Sequence, residues 1–321
     1  MRRAVQIAAM IGCGLAAVAA GRAAEAAPKI GVLLKGTSAF WSAVAEGCRD
    51  AAQAAGAEIE VKQPVSESDI AVQIRQLNEL AADGIQALVI APCSSTALAG
   101  PVAAVAAKGV KIVVIDSPLD LDMPAYIATN HTDAGMAAGR LLGSLVHDDD
   151  EVAILRHSRT GGATLLRESS GYAAIFAAHP GHIVVHRDIY SGTVSGKEEK
   201  QALLLLQKYP AITGVLASGT PGTMAMLQAL QETGRAGSIR FVGFGFNLNR
   251  KVAAALESGA MSGWIAQLPG DVGGRGVKAA LALLHGDHVP EVTFCDFLVI
   301  TKDNLHDPSV QALLPRENAT P

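Results

Sequence analysis

The chain has 321 residues, half of them hydrophobic and 17% charged, with a net charge of −4. That composition supplies a large core and excludes wholesale disorder. There is no basic block to form an electrostatic footprint, so no nucleic-acid partner is expected. The length points to two domains or one large one.

Residues 1–26 read as an export signal. Arg2 and Arg3 give a positive start, Ala4 to Ala20 an apolar segment, and Ala24-Glu25-Ala26 a small-x-small cleavage site. Cleavage after Ala26 implies a periplasmic mature chain. Met10-Ile11-Gly12-Cys13 offers the alternative of a lipoprotein box with a lipid anchor on Cys13. No later segment approaches 20 uninterrupted apolar residues, so the mature chain is expected to be soluble. Cys48, Cys93 and Cys295 form an odd, widely spaced set, which argues against a disulfide framework.

Apolar strands then alternate with amphipathic helices, twice over. The first predicted series has strands at Ile30–Leu34, Glu58–Lys62, Ala87–Ile90 and Lys111–Ile115, with helices near Ala39–Ala55, Ile70–Ala82 and Thr96–Lys108 between them. The second has strands at Val152–Arg156, Ile183–Arg187, Gly214–Ala217 and Arg240–Phe246. Its helices fall near Thr164–Ala178, Gly196–Lys208 and Thr220–Thr233. A further helix is expected over Gly270–Leu284 and a final strand over Glu291–Ile300. The polar tail from Asp307 to Pro321 is expected to fray. This pattern predicts an α/β fold of two doubly wound parallel-sheet lobes. Ligands bind beyond the strand C-termini of such sheets, and two edges that face one another make a cleft.

Catalytic motifs are missing. Gly192-Thr193-Val194-Ser195-Gly196-Lys197 has the wrong glycine spacing for a phosphate loop and is followed by Glu198 instead of a hydroxyl residue. The "GFGF" at 243–246 lacks a third glycine, and no Gly-x-Ser-x-Gly elbow occurs. His179, His182 and His186 are split by Pro180-Gly181, so they read as surface histidines. The expectation is binding without turnover, with no catalytic residues, no metal and no cofactor.

One stretch points to the ligand. "KGTSAFW", residues 35–41, follows the first predicted strand, and it puts Phe40 and Trp41 side by side in a chain that is only 4% aromatic. Neighbours on a helix point about 100° apart, so both cannot enter the core from one apolar face. Together with Ala91-Pro92, Ile115-Asp116, Arg167-Glu168-Ser169-Ser170-Gly171-Tyr172 and Ile265-Ala266-Gln267-Leu268-Pro269, this series resembles the periplasmic solute-binding proteins of the ribose/galactose-binding type, the type I fold of sugar ABC-transporter binding proteins. The resemblance runs from about residue 28 to 302.

The resemblance implies two lobes joined by three crossovers, near Thr129–Asp133, Ala266–Pro269 and Thr293–Asp296. The lobes would then comprise 27–130 with 268–293, and 131–267 with 294–306, before the tail 307–321. It also implies a ligand set of Ser38, Phe40, Trp41, Asp116, Arg167, Glu168, Asn247 and Gln267, with Tyr190 or Thr193 as further walls. Trp41 would stack on a sugar's C–H face as a cleft wall and not as a core residue. Glu168 stands where relatives carry an arginine, and a one-residue shift would restore Arg167. The implied function is to hold a sugar or polyol, as a monomer, for the permease of an ABC importer. The alternative is a partner of a sensor kinase's periplasmic domain, with Glu168 favouring a methylated amine through cation–π contacts.

Overall fold

The computed structural model describes residues 27–122, 125–159, 162–192 and 196–314. The export signal, Cys13, Thr193 and the end of the tail lie outside the described residues. The chain builds a first lobe from β1 (Lys29–Leu33), α1 (Ala39–Ala55), β2 (Glu58–Lys62), α2 (Ile70–Ala82), β3 (Ala87–Ile90), α3 (Ala99–Ala106), β4 (Lys111–Ile115) and β5 (Tyr126–Thr129). It then crosses to a second lobe of α4 (His131–Gly143), β6 (Glu151–Leu155), α5 (Gly162–Ala178), β7 (Val184–His186), α6 (Glu198–Lys208), β8 (Gly214–Ala217), α7 (Thr220–Glu232), β9 (Arg240–Phe246), α8 (Arg250–Ser258) and β10 (Gly263–Gln267). Helix α9 (Pro269–His285) and β11 (Val292–Cys295) return to the first lobe, and β12 (Phe297–Ile300) ends in the second.

The sheets run β11-β5-β4-β3-β1-β2 and β12-β10-β9-β8-β6-β7. The strand order doubles back beside β1 and β6, so the C-terminal edges around those strands are where a ligand crevice forms. All named pairings are parallel except β10 with β12. The single strand expected over Glu291–Ile300 is two strands in different sheets. The last crossing therefore falls at Asp296, and Phe294 and Cys295 pair with β5 in the first lobe.

Helix α1 shows why the pattern was readable. Trp41, Val44, Ala45, Cys48 and Ala52 are its buried residues, one stripe at helical spacing, and Gly56 closes it at φ 67°. Helix α4 could be given no bounds from the sequence, because three glycines lower its helix propensity. Those glycines have a packing role. A Cβ on Gly135 or Gly139 would run into the backbone or side chains of Arg167, Ser170 and Gly171, so α4 and α5 lie unusually close. The same device seats α9 on α1, where Gly47 faces the Gly270 carbonyl and Gly273 faces that of Val44. Strands β5 and β10 and helix α8 were missed. The expected fraying does not extend to Val310, which is buried, nor to Leu313, whose carbonyl accepts from the Leu248 N–H.

Candidate functional site

Between the lobes lies a cavity of about 320 Å³. The first lobe contributes Lys35, Ser38, Phe40, Trp41, Glu67 and Asp116; the second contributes His157, Thr164, Arg167, Glu198 and Phe246; Gln267 comes from the crossover. Nearly all follow the C-terminal end of a strand. A larger groove of about 820 Å³ crosses α7 and α8, but it lies on the second lobe and gathers no comparable set of polar groups from both lobes.

The floor on the first-lobe side is ionic. Lys35 Nζ sits 3.0 Å from Asp116 Oδ2, donates to Ser117 Oγ at 2.8 Å and stands 3.8 Å from Glu67 Oε2. Burial alone would lower the Lys35 ammonium, but the Asp116 and Glu67 carboxylates outweigh it and raise its pKa. Burial likewise pulls the Asp116 carboxyl up, and Lys35 more than offsets this and holds it low. Asp116 has φ 61°, a left-handed backbone that a side chain other than glycine's seldom adopts. Such strain at a strand end marks a residue whose direction is over-determined by its surroundings. Behind this floor Gln73, fully buried on α2, donates to the Leu34 and Ala91 carbonyls and accepts from the Cys93 N–H. It pins the ends of β1 and β3 together.

The aromatic pair divides its work differently from expectation. Trp41 is only 2% exposed and begins the buried stripe of α1, so it is a core residue whose edge also lines the cavity. Its Nε1 donates to Glu67 Oε1 at 2.8 Å. Phe40 is the ring that leaves the stripe. It meets Trp41 edge-on at 4.9 Å and reaches across the cleft to Phe246 at 5.7 Å. Ser38 precedes α1 in extended conformation, makes no capping bond, and faces the cavity.

On the second lobe, Arg167 and not Glu168 lines the cavity. Neighbours on α5 point in different directions, and the close α4–α5 seam turns Arg167 toward the hinge. Its Nη2 donates to Gln267 Oε1 at 2.9 Å, its Nη1 to the Ser218 carbonyl at 3.0 Å, and its Nε to His131 Nδ1 at 3.2 Å. Glu168 points into the second lobe. It accepts from Arg156 Nε at 2.6 Å, from the His157 N–H at 2.9 Å and from Ser218 Oγ at 2.8 Å. A carboxylate so occupied cannot receive a cationic solute, which removes the reason for the methylated-amine reading.

Asn247 also lies outside the cavity. It turns the chain after β9 at φ 50°, and its carbonyl accepts from Trp264 Nε1 at 2.7 Å. Tyr190 is not a cavity wall either, because its hydroxyl and ring are held by Arg156 and Arg159. Lys35, Glu67, His157 and Glu198 were not anticipated. The signal for three of them was available, since Lys35, Glu67 and His157 each lie within a few residues of a strand C-terminus. Among the described residues no group of histidine, cysteine and carboxylate side chains could hold a metal ion. His179 and His186 instead pair with Asp148 and Glu151.

Known proteins share this architecture. The D-allose-binding periplasmic protein of Escherichia coli (strain K12) is 25% identical over 296 residues, 87% of this chain and 94% of that protein. The xylitol-binding protein of Mycolicibacterium smegmatis is 25% identical over 307 residues, 94% of this chain and 86% of its own. Among solved structures, a carbohydrate transporter solute-binding protein from Agrobacterium radiobacter in complex with D-arabinose superposes with a TM-score of 0.84 at 27% identity, covering 90% of this chain and 99% of that one. The sequence pattern described as "Periplasmic binding protein domain" matches residues 30–288. The paired parallel sheets, the cleft at their C-terminal edges and that match agree: the chain belongs to the periplasmic binding protein domain family, a family of binding proteins and not of enzymes.

Proposed function

We propose that this protein is exported to the periplasm, binds one small sugar or polyol as a monomer between its lobes, and passes it unchanged to the permease of an ABC importer. The observation that carries the reading is the makeup of the cavity. Phe40, Trp41 and Phe246 offer apolar ring faces beside Lys35, Asp116, Arg167 and Gln267, the combination that suits alternating C–H faces and hydroxyls. A volume of about 320 Å³ suits one small solute. Among the described residues the chain passes between lobes at the segments near 130, 268 and 296, which can absorb a hinge motion.

The test is a thermal-shift screen with D-allose, D-arabinose, D-ribose and xylitol, followed by calorimetry and by mass spectrometry of the recovered solute. Ligand at a hundred times its dissociation constant should stabilise the fold by about 2.7 kcal/mol. No shift with any sugar or polyol, or a chemically altered product, would sink the reading. Intact-mass analysis of periplasmic protein should find Ala27 at the N-terminus, and a lipidated Cys13 would replace a free protein with a tethered one.

A further inference from the structure

The carboxylate of Glu67 occupies a distinctive place. It sits on the loop between β2 and α2, 27% exposed, in the first-lobe lining of the cavity. Its Oε1 accepts from Trp41 Nε1, and its Oε2 stands 3.8 Å from Lys35 Nζ and 3.9 Å from His157 Nε2 of the second lobe. Glu67 thus touches the aromatic wall, the ionic floor and the opposite lobe at once.

The charges that line the cavity do not balance. Three carboxylates, Glu67, Asp116 and Glu198, face two permanent cations, Lys35 and Arg167. Both cations are already engaged within the protein. Lys35 is shared among Asp116, Ser117 and Glu67, and Arg167 gives three of its five N–H groups to neutral acceptors of the protein. An incoming carboxylate or phosphate would meet surplus negative charge. A neutral polyol meets the same groups as hydrogen-bond donors and acceptors. Of the two carboxylates beside Lys35, Glu67 is the more exposed and the farther from its ammonium, at 3.8 Å against 3.0 Å for Asp116.

We propose that Glu67 is the charge filter of the cleft, excluding anionic solutes such as aldonates and sugar phosphates in favour of their uncharged counterparts. This rests on the reading of the cleft as a solute site. Glu67→Gln is the discriminating variant, because its amide oxygen still accepts from Trp41 while the charge is gone. The first measurement is calorimetry with xylitol against D-xylonate and D-ribose against D-ribonate. Wild type should bind each anion about 100-fold more weakly than its neutral partner, and Glu67→Gln should narrow that gap about tenfold. An unchanged gap, or equal losses for both members of a pair, would overturn the proposal.

The second measurement needs no sugar. In a Trp264→Phe background, quenching of Trp41 fluorescence by iodide should increase in Glu67→Gln, whereas quenching by uncharged acrylamide should not. A merely loosened wall would raise both together and would also overturn the filter. If wild type binds none of the four solutes, the sugar reading fails and the filter is judged on the quenching result alone.

Discussion

Arg167 donates through Nε to Nδ1 of His131 at 3.2 Å, and this bond fixes the imidazole as the tautomer with its proton on Nε2. The second nitrogen agrees, because Nε2 lies 3.0 Å from the Asp116 carbonyl, which can only accept. His131 is the first residue of α4, so a neutral ring relays between the first-lobe floor and the second-lobe guanidinium at a crossover.

That ring should make the protein sensitive to mild acid. Burial, then Arg167, push His131 from its ordinary 6.5 down to about 3. Below pH 6.5 the unfolded chain takes a proton that the folded chain refuses, so the stabilisation present above 6.5 is lost as pH falls toward 3. Asp116 and Glu67, held low beside Lys35, lose their contributions only below the ordinary carboxylate range. His179, raised by the Gly143 carbonyl and Asp148, acts with the opposite sign. Urea unfolding between pH 7.5 and 5 should therefore show stability falling with pH in wild type and a flatter slope in His131→Asn. Parallel slopes would mean that His131 does not carry the effect.

Lys35 should behave as a buried charge whose removal strands its partners. Lys35→Met leaves Asp116 without its 3.0 Å counter-ion and should cost about 3–5 kcal/mol in denaturant unfolding. Adding Asp116→Asn should recover much of that stability while solute binding stays absent. A double variant as unstable as the single one would show that packing, and not charge, governs the floor.

The aromatic neighbours should separate stability from binding. Trp41→Ala opens the buried stripe of α1 and should destabilise by about 3–5 kcal/mol. Phe40→Ala, at the partly exposed ring that spans the cleft to Phe246, should cost about 1–2 kcal/mol yet weaken solute binding at least tenfold. Melting temperature and calorimetry on both variants check the split, and equal effects on both readouts would refute it.

Much of the architecture was legible because alternation of period-2 and period-3.6 stretches is a local signal. Asp116 and Gln267 were reached through the family resemblance, and both line the cavity. Arg167 and Glu168 were not separable, because adjacent helical positions differ only in direction, and direction here is set by a glycine seam with a distant helix. The "GFGF" of β9 had no local explanation either. A Cβ on Gly243 would strike Thr223, and one on Gly245 would strike the Trp264 ring, so those glycines make room for side chains from elsewhere in the chain. Glu67 was marked only by its place just after β2, and the folded geometry is what brings it to Trp41.

Because α9 and β11 are supplied after the whole second lobe, the first lobe is not a continuous piece of chain. Its core counts Val272, Val277, Ala280 and Cys295 beside Ile30 and Val44, and the Cys48 thiol donates to the Gly273 carbonyl across 225 positions of sequence. A growing chain that has finished only its first series of strands and helices would leave α1 without its partner face. Neither lobe can mature well ahead of the other, and folding must wait for the late segments. If the chain is exported unfolded, as the proposed function requires of a periplasmic protein, it gains from such a delay.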